Sequence, residues 1–121
     1  MPNRTPTDLL PLPVSQLHIV LALANGDRHG YAIMKEIEAF TGGDVVMGAG
    51  TLYGAIKQML KTGLIEESSE RPDPDLDDER RRYYRLTGLG RDVLDAEVIR
   101  MEQLTRTART RLAEVLHARG T

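Results

Sequence analysis

Residues 48–66 read GAGTLYGAIKQMLKTGLIE. Leu52, Ile56, Met59 and Leu60 fall at i, i+4, i+7 and i+8, a spacing that gathers apolar side chains on one side of a helix running from Thr51 to Lys61. Thr51, Gly54, Ala55, Lys57, Gln58 and Lys61 lie off that stripe. Gly63 supplies a C-terminal stop, and Leu64-Ile65-Glu66 opens a short strand. A helix that runs through one glycine into a strand is the unit from which the rest of the chain is read.

Upstream, Ser15 can cap a helix whose positions Leu17, Val20, Leu21 and Ala24 share one side, with Ile19 and Leu23 on another. Both sides are expected to be buried. Asn25-Gly26-Asp27 breaks this helix, and a second runs from Gly30 to Phe40 with Ile33, Ile37 and Phe40 facing inward before Thr41-Gly42-Gly43 ends it. Residues 1–13 hold four of the six prolines and show no helical period, so residues 1–14 are expected to form a flexible arm. Downstream, a polar loop containing Pro72 and Pro74 leads to a return strand from Arg81 to Leu86. Three helices followed by a hairpin is the order of a winged helix-turn-helix.

From Thr87, a good cap residue, the chain turns helical again with no further proline. Leu94, Val98, Met101, Thr105, Ala108, Leu112 and Val115 alternate steps of four and three, a heptad seam. The small three-helix unit cannot cover a seam of that length, so its expected partner is the same helix of a second copy. The predicted fold is mainly α with a small β-hairpin wing. It comprises a winged helix-turn-helix over residues 15–87 and a long C-terminal dimerisation helix over 88–121.

A chain of 121 residues has room for one core of ordinary size. It contains no cysteine, which excludes disulfides, thiolate metal sites and cysteine nucleophiles. No stretch approaches the length of a membrane span and the start lacks a signal-peptide core, so a cytoplasmic protein with no membrane partner is expected. His18, His29 and His117 have no metal-site spacing, no cofactor motif is present, and no nucleophile–base pair or phosphate loop can be placed. An enzyme is not expected. The formal net charge of -2 argues against nucleic acid unless charge is concentrated locally. Arg80, Arg81 and Arg82, with Arg85, form the one such concentration. Against them stand Glu66, Glu67, Glu70, Asp73, Asp75, Asp77, Asp78 and Glu79, a run that lacks the glycine and terminal glutamate of a calcium loop and reads as solvated acid.

Four fragments now fall in order: His29-Gly30-Tyr31 opens the second helix, Gly50-Thr51-Leu52-Tyr53 opens the third, Lys61-Thr62-Gly63-Leu64-Ile65 enters the wing, and Tyr83-Tyr84-Arg85-Leu86-Thr87 leaves it. Together they resemble the PadR family of bacterial transcriptional regulators. The resemblance implies a winged-helix DNA reader with a C-terminal dimerisation helix, often released from its operator by a small molecule. The acidic wing loop departs from a basic or neutral tip, and the single tryptophan-free C-terminal helix resembles the short branch of the family.

The expected DNA surface is Thr51, Tyr53, Lys57, Gln58 and Lys61 on the third helix with Arg80, Arg81 and Arg82 on the wing. A helix N-terminus favours phosphate at Thr51 and Tyr53, and the Gln58 amide can pair with adenine. For each residue a plainer role stands beside this one: cap, half-buried ring, solvated face, or an arginine that neutralises the acidic run. The partner is therefore read as a double-stranded operator bound by a homodimeric repressor, with a small-molecule effector expected between the first and last helices beside Ile19 and Leu23. A winged-helix module that binds protein remains the alternative, and the effector's own contact residues are unknown from sequence.

Overall fold

The computed structural model describes residues 5–69 and 82–120. Helix α1 spans Val14–Leu23, strand β1 Arg28–His29, α2 Gly30–Phe40, α3 Ala49–Thr62, β2 Ile65–Ser68, β3 Tyr83–Leu86 and α4 Gly88–Gly120. A 3-10 turn over Pro6–Leu9 precedes them. The three strands form an antiparallel sheet in the order β1-β3-β2, with Ile65 opposite Leu86 and Arg28 opposite Tyr84. Strand β1 was not anticipated. Two residues between a turn and a helix are too short to show alternation, and only their pairing with β3 makes them a strand.

Ile19, Val20, Ala22 and Leu23 of α1, Ile33 and Ile37 of α2, and Leu52, Ile56 and Met59 of α3 fill one core with Leu64, Ile65, Tyr84, Leu86 and Val93. Each such large side chain stabilises the fold by about 1.5–3 kcal/mol when fully buried. Three details differ from the expected pattern. Helix α1 starts at Val14 on the carbonyl of Pro13, which accepts the Leu17 N–H at 3.0 Å, so Ser15 lies inside the first turn and does not cap it. Because α2, α3, α4 and β3 all pack on α1, its buried arc is set by Ile19, Val20, Ala22 and Leu23, while Leu21 and Ala24 face outward. Phe40 and Leu60 sit at the rim. The Phe40 ring lies 6.1 Å from that of His18 and is 43% exposed.

One joint ties α3, the sheet and α4 together. Helix α3 ends at Gly63 in the left-handed conformation (φ 82°), which turns the chain into β2. Thr87, just before α4, donates its hydroxyl to the Gly63 carbonyl and its N–H to the Leu64 carbonyl at 3.1 Å. The Thr87 hydroxyl also accepts the N–H of Gly90 at 3.0 Å, capping α4 as expected. Gly90 packs so closely on the same turn that a Cβ there would stand 2.2 Å from the Leu64 carbonyl oxygen.

The expected flexible arm does not hold for residues 5–13, which pack on the core and on α4. Leu12 is buried in the core with Leu9 and Leu10 against it, and its N–H donates to Oε2 of Glu97 at 2.9 Å. Glu97 is a fully buried carboxylate whose other oxygen accepts from Arg100. The Arg100 guanidinium, aided by the Leu12 N–H, holds the Glu97 carboxyl below the usual carboxylate range despite burial.

Gly90→Ala must push its Cβ into a backbone carbonyl, and overpacking of that kind costs about 1–3 kcal/mol. The unfolding free energy of this variant is expected to fall by that amount, read as a lower urea midpoint at an unchanged m-value in a denaturation series followed by circular dichroism.

Candidate nucleic-acid interface

Helix α3 divides cleanly. Leu52, Ile56 and Met59 are buried, while Thr51, Tyr53, Lys57, Gln58 and Lys61 are all exposed. All five residues expected on the third helix thus share the outer side of one element. Residues 49–62 contain two lysines and no carboxylate, so this surface is locally cationic in a chain that is acidic overall.

The start of α2 meets α3 through Gly30 and Tyr53. His29 caps α2 by accepting the Ala32 N–H on Nδ1 at 3.1 Å, which fixes where the helix begins. Gly30 follows, and a Cβ there would lie 2.3 Å from the Tyr53 hydroxyl and 2.9 Å from its Cζ. The missing side chain is the seat of the Tyr53 ring, which remains 49% exposed. Beside it, Tyr31 is 57% exposed, with its ring 6.5 Å from that of His29 and with Lys35 Nζ 5.5 Å from the ring centre. Tyr31 and Lys35 were not among the expected contacts. Their signal lies in the helical step of four between them.

The wing is electrostatically different. Glu66 lies opposite Arg85 in the β2–β3 register, and their side chains pair at 2.9 Å. Arg82 pairs with Glu67 at 3.2 Å. The neutralising role weighed for the arginines is the geometry seen at Arg82 and Arg85, where each guanidinium meets a glutamate of the neighbouring strand. Arg80, Arg81 and the acidic stretch from Glu70 to Glu79 lie outside the described residues. Tyr83 and Tyr84 are both buried, Tyr83 edge-on to His29 at 5.3 Å between ring centres. Burial, with the Glu67 carboxylate beside it, pushes the Tyr84 phenol up from its ordinary value and keeps it neutral.

Chain residues 19–96 match the model of the PadR-like family of transcriptional regulators. The chain belongs to that family. Its members regulate transcription and are not enzymes. Over 91 residues it is 34% identical to an uncharacterised 37.1 kDa protein in transposon TN4556 of Streptomyces fradiae, covering 75% of this chain and 24% of that protein's length. A PadR family transcription regulator from Clostridium difficile superposes with a TM-score of 0.66 at 26% identity, over 83% of this chain and 99% of the other. Bacillus subtilis PadR, solved in complex with operator DNA, shares the fold at a TM-score of 0.60 and 21% identity, over 74% and 48% of the two chains.

The seam expected on the final helix divides along its length. Leu94 is partly buried against the core, whereas Val98, Thr105, Ala108, Leu112 and Val115 are exposed and Met101 is intermediate. Val98, Met101, Glu102, Thr105, Arg106 and Arg109 lie together on one open side of α4. Ile19 and Leu23, beside which an effector was expected, are both taken up by the core at 0% and 3% exposure. Among the described residues no group of three histidine, aspartate or glutamate side chains could hold a metal ion, and no helix is long and apolar enough to cross a membrane.

Gly30→Ala contrasts with Gly90→Ala. Its Cβ meets the far end of a side chain that can swing away, so stability is expected to stay within about 1 kcal/mol of the parent while the Tyr53 ring leaves its seat. Ring proton shifts of Tyr53 by NMR, alongside a urea titration, check both halves.

Proposed function

We propose that this protein is a DNA-binding transcriptional repressor that reads a roughly palindromic operator as a homodimer and is released by a small-molecule effector. In this reading residues 15–87 form the reading head and residues 88–121 the dimerisation helix. The observation that carries it is the outer side of α3: Thr51, Tyr53, Lys57, Gln58 and Lys61 are displayed together, without a carboxylate, on the helix that follows a helix and turn. Such a helix enters a major groove with its N-terminal residues toward the base edges. Family membership and the operator complex of the Bacillus subtilis fold neighbour support the same reading.

The proposed roles differ by residue. Thr51 and Tyr53 meet phosphate at the positive end of α3, Lys57 and Lys61 add charge along the groove wall, and Gln58 reads a base. On the wing Arg80 and Arg81 are proposed to reach phosphate. Arg82 does so only by exchanging its Glu67 partner for DNA, a competition that lowers its contribution. For the homodimer, the support is the unpartnered side of α4: Leu112, Val115 and Leu116 are each more than half exposed, an apolar run that a single chain leaves in water. The effector is proposed to bind near the dimer axis, with no contact residue assigned.

Binding of Lys57→Ala and Arg81→Ala to operator and scrambled duplexes, followed over a salt series, is expected to weaken both duplexes alike and to lower the salt slope by about 1 per residue. Gln58→Ala should instead lose about 1–3 kcal/mol at a single base pair and relax preference there. If Tyr53→Ala, Lys57→Ala and Arg81→Ala all bind operator as the parent does, the third helix and the wing are not the DNA surface, and the protein-binding alternative moves ahead.

Met101→Lys places a charge within the α4 seam. Sedimentation is expected to show monomer in place of dimer, and a variant that remains fully dimeric would assign the dimer contact elsewhere.

A further inference from the structure

Helix α4 touches the head at Gly90, Val93 and Glu97, which follow one another at i, i+3 and i+7 along its inner side. Glu97 is the last of them. Beyond Met101 every described residue of α4 is exposed, so the helix leaves the head and runs on alone for roughly 30 Å at 1.5 Å per residue. On a lever of that length a change of about 10° at the root moves the far end by about 5 Å, more than the roughly 3.4 Å rise of one base pair. The angle of departure is therefore a quantity on which a two-headed reader depends.

At the root stands a buried carboxylate where a leucine would pack. A buried ion pair adds little net stability over apolar side chains of the same volume, so stability alone does not explain the choice. What it adds is direction. Oε2 takes the Leu12 N–H at 2.9 Å, and Leu12 lies two residues before α1, on a segment whose Leu9 and Leu10 also pack against the core. Oε1 takes Arg100, one turn further along α4 and half-buried. Two donors, one from the head and one from the lever, define where the carboxylate sits, whereas an apolar contact would slide.

We infer that Glu97 is a positioning residue: its bond to the Leu12 N–H, made by a carboxylate that Arg100 of the same helix holds in place, fixes the angle at which α4 leaves the head, and so the distance between the two reading helices of the dimer. This rests on the homodimer proposed above. It assigns a role in half-site spacing to a side chain far from α3 and to the segment before α1.

The chain has no cysteine, so Ala39→Cys on the exposed outer side of α2 carries one spin label per subunit and reports the head-to-head distance directly. Pulsed electron–electron resonance on the full chain without DNA is expected to give one narrow distance for the labelled parent. In Glu97→Gln and in Arg100→Gln the distribution should widen about twofold at unchanged helix content and unchanged dimer mass, because each variant loosens one of the two bonds. Arg100→Lys, which keeps the charge, should restore most of the narrow distance. Should Glu97→Gln lose helix content, the Arg100 pair decides, since that side chain is 35% exposed and tolerates exchange. Equal widths in the parent, Glu97→Gln and Arg100→Gln would overturn the assignment while leaving the dimer intact. A parent with no dipolar signal would remove the homodimer itself and the assignment with it.

Discussion

Thr87 holds the structure at the point where α3, the sheet and α4 meet. Its hydroxyl and N–H reach the carbonyls of Gly63 and Leu64, and the same hydroxyl receives the N–H of Gly90. The end of α3, the start of β2, the end of β3 and the start of α4 are therefore joined by one side chain and its backbone. Gly63 must adopt a positive φ to make the turn, and Gly90 must lack a Cβ for α4 to approach. With these three residues in place, the end of the helix that carries Lys57 and Gln58 is joined directly to the start of the helix that carries the heptad seam. A movement of α4 is then felt by α3 through hydrogen bonds rather than through a loop.

Charge is arranged so that an acidic chain presents α3 as a helix with two lysines and no carboxylate. The wing's described arginines meet glutamates across the β2–β3 ladder, and Arg28 is held by the Ala22 carbonyl, Asn25 and Glu36. Lys57 and Lys61 share their helix with no carboxylate. The exposed wing pairs are individually weak, on the order of 0–1 kcal/mol, so a stronger anion can displace the glutamates. In the proposed reading the wing is a contact in reserve, and α3 is the primary one.

Much of this was legible in the chain because it is local. The three-helix order, the Gly63 stop, the Thr87 cap and a single long final helix each follow from residue spacing within one or two turns, and four motif fragments in sequence order were enough to name the family. The outward residues of α3 followed from the same count, since placing Leu52, Ile56 and Met59 inside leaves Lys57 and Gln58 outside. The misplaced residues lie where an element meets several neighbours. The buried arc of α1 depends on four packed elements, and Phe40 and Leu60 lie at the rim of a stripe that was correct at its centre.

What the sequence by itself determined is therefore the succession of elements, the family, and the side of α3 that faces out. Periodicity and turn chemistry act between residues a few positions apart, and the chain records those directly. Only the tertiary structure decided that Gly30 is the seat of Tyr53, that Arg28 and His29 form a strand, that Ile19 and Leu23 belong to the core, and that Glu97 is buried beneath Leu12. Each of these joins residues with little or no periodic relation to one another. A glutamate in a polar helix and a leucine among prolines carry no mark of their meeting, because the meeting is 85 positions long and exists only once the core has closed.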